Sequence, residues 1–216
     1  MPRFIFGGSP AISNTMNILM FDFDGVIVDT FSLCHIISNS ISPVSEDEYR
    51  TRFEGNINDV VNKAPPIRKA DYFSEYTPEL MKCEPFIELI EAIKNLAHKY
   101  TLVIISSTIS PSIDSFLQKT GLRNYFSDIL GNDVEKSKIK KIGMVLEKYK
   151  TDPSQALFIT DTLGDIKEAS ACSVKSIAVS WGYNNEATLT KGNPYKIISD
   201  KKELVPAVEE YFKTKG

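Results

Sequence analysis

Short runs of continuously apolar residues, each followed by an amphipathic stretch, constrain the fold of this 216-residue chain more than anything else in it. The runs lie at 18–21, 101–106, 128–131, 156–160 and 175–180. A strand that is apolar at successive positions must be covered on both faces, as in a parallel sheet with helical crossovers. Helical periodicity fills the gaps at 86–100, 110–120, 138–149, 166–172 and 201–212, and Gly121 supplies a stop signal after the second of these. The expected fold is α/β, a doubly wound, Rossmann-like parallel sheet. Residues 31–82 break the rhythm. They are polar, hold Pro43, Pro65, Pro66 and Pro78, and show only short helical patterns at 46–53 and 57–63. Too long for a simple strand–helix loop, this segment is expected to form a small α-helical cap above the strand ends. Residues 17–30 plus 83–216 would make the core. Residues 1–16, with one arginine and no signal-peptide core, are expected to be an extension outside the fold, disordered or vector-derived, with Met16 as an alternative start.

Composition narrows the function classes. Hydrophobic residues make up 42% and charged ones 25%, an ordinary globular balance. A net charge of −3 offers no electrostatic footprint for nucleic acid. No apolar run approaches the ~20 residues of a membrane span. Cys34, Cys83 and Cys172 are widely spaced, so free thiols, a reducing compartment and a cytoplasmic setting are expected. Lys136, Lys138, Lys140 and Lys141 form the one tight basic run and are expected to line a solvated helix face. Oligomeric state is open, with a monomer favoured.

The chemistry concentrates where strands should end. Asp22-Phe-Asp24-Gly follows the first run directly, placing two carboxylates at a strand C-terminus, where open α/β sheets bind ligands. Such a pair needs a cation or a proton between its members. Ser106-Ser107-Thr108 follows the second run and offers hydroxyls and backbone N–H groups to a phosphate. Lys138, or alternatively Lys136, opens the helix at 138–149 and supplies a compact positive charge. Asp161-Thr-Leu-Gly-Asp165 follows the fourth run and completes an oxygen-rich set suited to Mg²⁺.

These four elements, in this order, resemble the haloacid dehalogenase superfamily of phosphohydrolases over about residues 17–183, with the insert at the position of that family's helical cap. The resemblance is to the phosphoglycolate phosphatase and β-phosphoglucomutase branch. It implies Asp22 as nucleophile and Asp24 as general acid and base. Ser106, Ser107, Thr108 and Lys138 would hold the phosphoryl group. Mg²⁺ would be bound by Asp22, the Asp24 carbonyl and Asp161, with Asp165 in or near the layer just behind these ligands. Gly55 and Asn56 resemble the cap's substrate-specificity loop. An acid at Asp24 points to C–O–P cleavage rather than dehalogenation or phosphonate chemistry. The implied substrate is a small phosphorylated metabolite, phosphoglycolate- or sugar-phosphate-like; a phosphomutase and a non-catalytic binding protein are the alternatives. Thr160 stands where many relatives have glycine, and is expected to add a hydroxyl without disrupting the loop. Arg50, Arg52, Lys63, Arg68 and Lys69 are candidate anion contacts in the insert. His35, His98, Cys34 and Trp181 are expected to be packed or solvated rather than catalytic.

Overall fold

In a computed structural model describing residues 17–60 and 65–214, the apolar runs pair as one parallel sheet. The strands are β1 (Ile18–Phe21), β2 (Thr101–Ile105), β3 (Asp128–Leu130), β4 (Ala156–Thr160), β5 (Lys175–Val179) and β6 (Lys196–Ile198), in the spatial order β3-β2-β1-β4-β5-β6. The helices are α1 (Phe31–Ile41), α2 (Glu46–Thr51), α3 (Tyr72–Leu80), α4 (Ile87–Ala97), α5 (Ser110–Lys119), α6 (Lys138–Tyr149), α7 (Leu163–Ala171), α8 (Glu186–Thr190) and α9 (Leu204–Lys213). The doubly wound architecture expected from the alternation is the one found.

Strand alternation divides the core in two. Leu19, Phe21, Leu102, Ile104, Leu157 and Ile159 pack with α4, α5 and α9, while Ile18, Met20, Val103, Ile105 and Phe158 pack with Ile142 and Val145 of α6 and Ala169 of α7. Both faces are therefore buried, which is why these strands are apolar at every position; each such side chain contributes about 1.5–3 kcal/mol. Register then fixes the site. Phe21 pairs with Ile104 on one side and Ile159 on the other, so Asp22, Ser106 and Asp161 all emerge at one edge of the sheet. That edge lies where strand order reverses around β1.

Residues 31–82 hold more helix than their pattern showed: α1 and α3 were not expected. The α1 sequence is rich in serine, asparagine and histidine, and α3 carries Pro78 within it, so neither reads as a helix former. Packing overrides propensity here, because Phe31, Cys34, Ile37, Tyr49, Tyr76 and Leu80 join the same hydrophobic cluster as one face of the sheet. The pattern at 57–63 yields one 3₁₀ turn at Ile57–Asp59; Lys63 lies outside the described residues, as does the extension 1–16. The edge strand β6 and short α8 were likewise unexpected, and at three and five residues they leave almost no periodic signal. No helix among the described residues is long and apolar enough to cross a membrane.

Candidate active site

Of the two candidate lysines, Lys138 is the one that lies against the acids. It is 4% exposed at the start of α6, with Nζ 2.9 Å from Asp22 Oδ2 and 2.6 Å from Asp165 Oδ2, whereas Lys136 is exposed. Burial alone would strip the Lys138 proton, but the two carboxylates outweigh it and hold the ammonium charged well above its ordinary range. Asp22 accepts the Phe23 N–H at 2.8 Å. Burial pushes the Asp22 carboxyl well above the usual carboxylate range; Lys138 opposes this, while Asp165 and Asp161 reinforce it. Asp165 moves the other way: burial raises it, but Lys138 and hydrogen bonds from Asp22, Lys138 and Thr160 prevail and lower it. Thr160 Oγ1 donates to Asp165 Oδ2 at 2.6 Å, so the hydroxyl in place of glycine orients that acid without blocking the loop.

Asp24 sits in a ring of hydroxyls. Thr30 and Tyr76 donate to its Oδ1 at 2.7 and 2.5 Å, and Thr108 donates to Oδ2 at 2.7 Å. Hydroxyls turn to donate or accept, and here all three fix the position of the carboxyl. Thr108 is thus engaged with Asp24 rather than free for phosphate. Ser106 Oγ accepts the Thr108 N–H at 3.0 Å, keeping its own hydrogen available, and Ser107 lines the same cavity.

Asp161 is placed differently from the other acids. It is fully buried and is not among the cavity-lining residues. Its Oδ2 accepts the Tyr183 N–H at 2.6 Å, while its Oδ1 is buried with no hydrogen-bond partner. The backbones of Gly25 and Gly182 close around it, since a Cβ on either would come within 2.0 or 2.2 Å of Oδ2. Gly25 also needs its φ of +74° to turn the chain between Asp24 and Val28. Burial raises the Asp161 carboxyl to about 7. Among the described residues no three His, Cys, Asp or Glu side chains form a closed metal cage. Mg²⁺ needs only one or two carboxylates, with water and phosphate for the remainder. An orphaned buried carboxylate oxygen beside a proton-hungry Asp22 suits such a hard cation, so the donor set fits.

Above the acids lies a cavity of about 320 Å³. Gly55 and Asn56 line it, and the Asn56 amide donates to Glu168 Oε1 at 3.1 Å. The same Glu168 oxygen accepts the Lys138 N–H at 3.1 Å, joining the insert to α6 and α7. Of the candidate anion contacts, Arg52 lines the cavity. Arg50 is spent on the Tyr183 carbonyl at 2.6 Å and the face of Phe31 at 3.6 Å. Arg68 pairs with Glu75 on the surface, and Lys69 is exposed. His35 bonds the Val44 carbonyl, and His98 caps α4 in solvent. Trp181 packs beneath Lys201 and donates to the Val26 carbonyl. Burial pushes the Cys34 thiol up to about 12, which leaves it unreactive.

The expected solvated lysine face is corrected at Lys141, beside the site candidate Lys138. Lys138 and Lys141 are buried, and Lys141 Nζ donates to the Ser106 carbonyl at 2.6 Å, behind the candidate phosphate loop. Burial, followed by the nearby Lys138 charge, lowers its ammonium to about 8. The signal was present in the spacing: Lys138, Lys141, Ile142 and Val145 form one helical stripe. Tyr76, Thr30, Glu168 and Tyr183 were also missed, because nothing local in the sequence ties them to the acids.

The sequence pattern of the haloacid dehalogenase-like hydrolase family matches residues 19–179. A protein named phosphoglycolate phosphatase from Synechococcus elongatus is 24% identical over 92% of this chain and 100% of its own length. Another of that name, from Agrobacterium fabrum, is 26% identical over 91% of this chain and 94% of its own. The fold is shared with a haloacid dehalogenase-like family protein from Streptococcus pneumoniae, at a TM-score of 0.71 and 22% identity over 90% of this chain and 99% of that one. It is shared too with CbbY from Rhodobacter sphaeroides, solved with phosphate, at 0.72 and 15% over 88% of this chain and 96% of that one. With a pattern match over most of its length and acids, hydroxyls and lysine meeting at one sheet edge, this chain is an enzyme belonging to the haloacid dehalogenase-like hydrolase family.

Proposed function

We propose that this hydrolase is an Mg²⁺-dependent phosphatase of small phosphomonoesters that works through an aspartyl-phosphate on Asp22, with the helical segment 31–82 as its cap. One observation carries the reading: the buried Asp22–Lys138–Asp165 array opens into a cavity that also holds Asp24 and the Ser106 loop. A carboxylate oxygen of Asp22 attacks phosphorus, and the bond from phosphorus to the alcohol oxygen breaks. Asp24 gives its proton to that leaving oxygen. It then takes a proton from water, which attacks phosphorus, breaks the Asp22–phosphorus link and releases inorganic phosphate. Lys138 fixes the Asp22 oxygen and balances phosphoryl charge, while Ser106 Oγ and the N–H groups of its loop bind the phosphoryl oxygens. Asp22, the Asp24 carbonyl and Asp161 would hold Mg²⁺, which when bound offsets the charge between carboxylate and phosphate. Asn56 and Gly55 would close over the alcohol and exclude water.

Phosphate release from a panel of small phosphomonoesters, with Mg²⁺ and with EDTA, tests this directly. Metal-dependent release is expected from the wild type and none from Asp22→Asn. Turnover that persists in the folded variant refutes the covalent route. Folded wild type that releases nothing returns weight to a mutase or a binding protein.

A further inference from the structure

The cavity has a chemical character that the reacting acids do not account for. Much of its lining is aromatic: Tyr49, Phe53 and Tyr183, with Tyr72 and Phe73 from the first turn of α3. These rings brace one another. Phe53 meets Tyr183 edge-on at 4.7 Å and Tyr49 at 5.2 Å, and Tyr72 meets Phe73 edge-on at 5.3 Å and lies parallel to Tyr76 at 5.9 Å. Tyr76 in turn bonds Asp24, so the α3 rings run to the candidate acid. Rings locked by ring neighbours are preorganised and lose little freedom when they grip a ligand.

Away from the reacting acids, the described lining offers a second anionic group one cation, Arg52. Among the described residues the cavity is lined by the carboxylates of Asp22, Asp24, Asp165 and Glu168 and by two cations, Lys138 and Arg52. Lys138 is committed to Asp22 and Asp165. Arg52 leans toward the Tyr49 ring, 5.6 Å from its centroid. Burial keeps the Tyr49 and Tyr72 phenols un-ionised, so they offer hydrogen bonds and no charge.

We infer that the alcohol half of the substrate is uncharged and carries a flat, apolar ring held between the aromatic walls of the cap segment. This rests on the phosphomonoesterase reading above and narrows it, away from the anionic two-carbon alcohol in the names of the relatives. The decisive comparison is kcat/KM for benzyl phosphate, ethyl phosphate and 2-phosphoglycolate. All three are esters of primary alcohols, so binding rather than leaving-group acidity should separate them.

Benzyl phosphate is expected to exceed both others by about tenfold or more, as ring burial in an apolar pocket implies. In Phe53→Ala the benzyl-to-ethyl ratio should collapse toward one, while Phe53→Leu, which keeps bulk without the ring, should retain an intermediate ratio. Measuring ratios within each variant, alongside its thermal melt, separates lost recognition from lost folding. If 2-phosphoglycolate is the equal or better substrate, or if Arg52→Met rather than Phe53→Ala removes the preference, the inference falls and the phosphatase reading stands. If none of the three esters releases phosphate from folded protein with Mg²⁺, both fall.

Discussion

Replacing Asp161 by Asn should shift the stability of the metal-free protein in the variant's favour by an amount that grows with pH. Burial lifts this carboxyl from its usual 3.8 to about 7. An acid whose folded-state value is raised holds its proton more tightly when folded, so stability is greatest below 3.8 and is lost as pH climbs toward 7. At pH 8 both states are ionised, and the folded one bears the full cost, about 4 kcal/mol at roughly 1.4 kcal/mol per pH unit. At pH 5 the folded carboxyl is still protonated, and the same linkage leaves a cost of only about 1.5–2 kcal/mol. Asparagine can still accept the Tyr183 N–H, but its amide inherits the partnerless position of Oδ1 and gives back about 1–3 kcal/mol at every pH. That offset cancels in the difference between the two pH values. The gap in melting temperature between variant and wild type, in EDTA, should therefore widen in the variant's favour by about 2–3 kcal/mol from pH 5 to pH 8. At about 2–4 °C per kcal/mol for a chain of this size, that is on the order of 5–10 °C. Added Mg²⁺ should then raise the wild type and leave the variant unmoved. A gap that stays flat between pH 5 and 8, or a wild type that gains on the variant at pH 8, refutes the reasoning.

Two further outcomes follow from the lysines. Lys138→Met leaves Asp22 and Asp165 buried without their cation and should cost about 3–5 kcal/mol of stability together with turnover; Lys136→Met should change neither, as denaturant melts and initial rates will show. Lys141→Met removes the ammonium behind the Ser106 carbonyl and should weaken inhibition by inorganic phosphate about tenfold, the scale of a charged hydrogen bond; an unchanged inhibition constant would reduce Lys141 to packing.

Much of this was legible in the sequence, and the exceptions have physical causes. Strands β1, β2, β4 and β5 are apolar at consecutive positions because both sheet faces are covered, and that pattern needs no partner to be seen. Asp22, Asp24, Ser106 and Asp161 are found where strands stop, and Lys138 and Asp165 in the first turns of the helices that follow β3 and β4, so the strand–helix junctions led to them. Helices α1 and α3 were hidden because their stability comes from packing against the sheet's own core rather than from local propensity. The seclusion of Asp161 from the cavity was hidden too, since it depends on Gly25 and Gly182 meeting from segments far apart in the chain. Lys141 was misread by charge alone, although its spacing matched the buried stripe of α6.

The contact between Gly164 and Gly55 bears on how such an enzyme can change its substrate. A Cβ at Gly164 would come within 2.3 Å of the Gly55 carbonyl oxygen, so backbone meets backbone where the cap segment rests on α7. Asn56 to Glu168 and Lys167 Nζ to the Glu54 carbonyl pin the same seam. No side chain larger than hydrogen fits at Gly164, so mutation has no graded way of adjusting this wall and any step there moves the whole loop. Tyr72 and Phe73 of α3 also line the cavity, and their rings can be resized one residue at a time. Divergence toward new alcohols therefore has an open route through α3 and a closed one through Gly164 of α7.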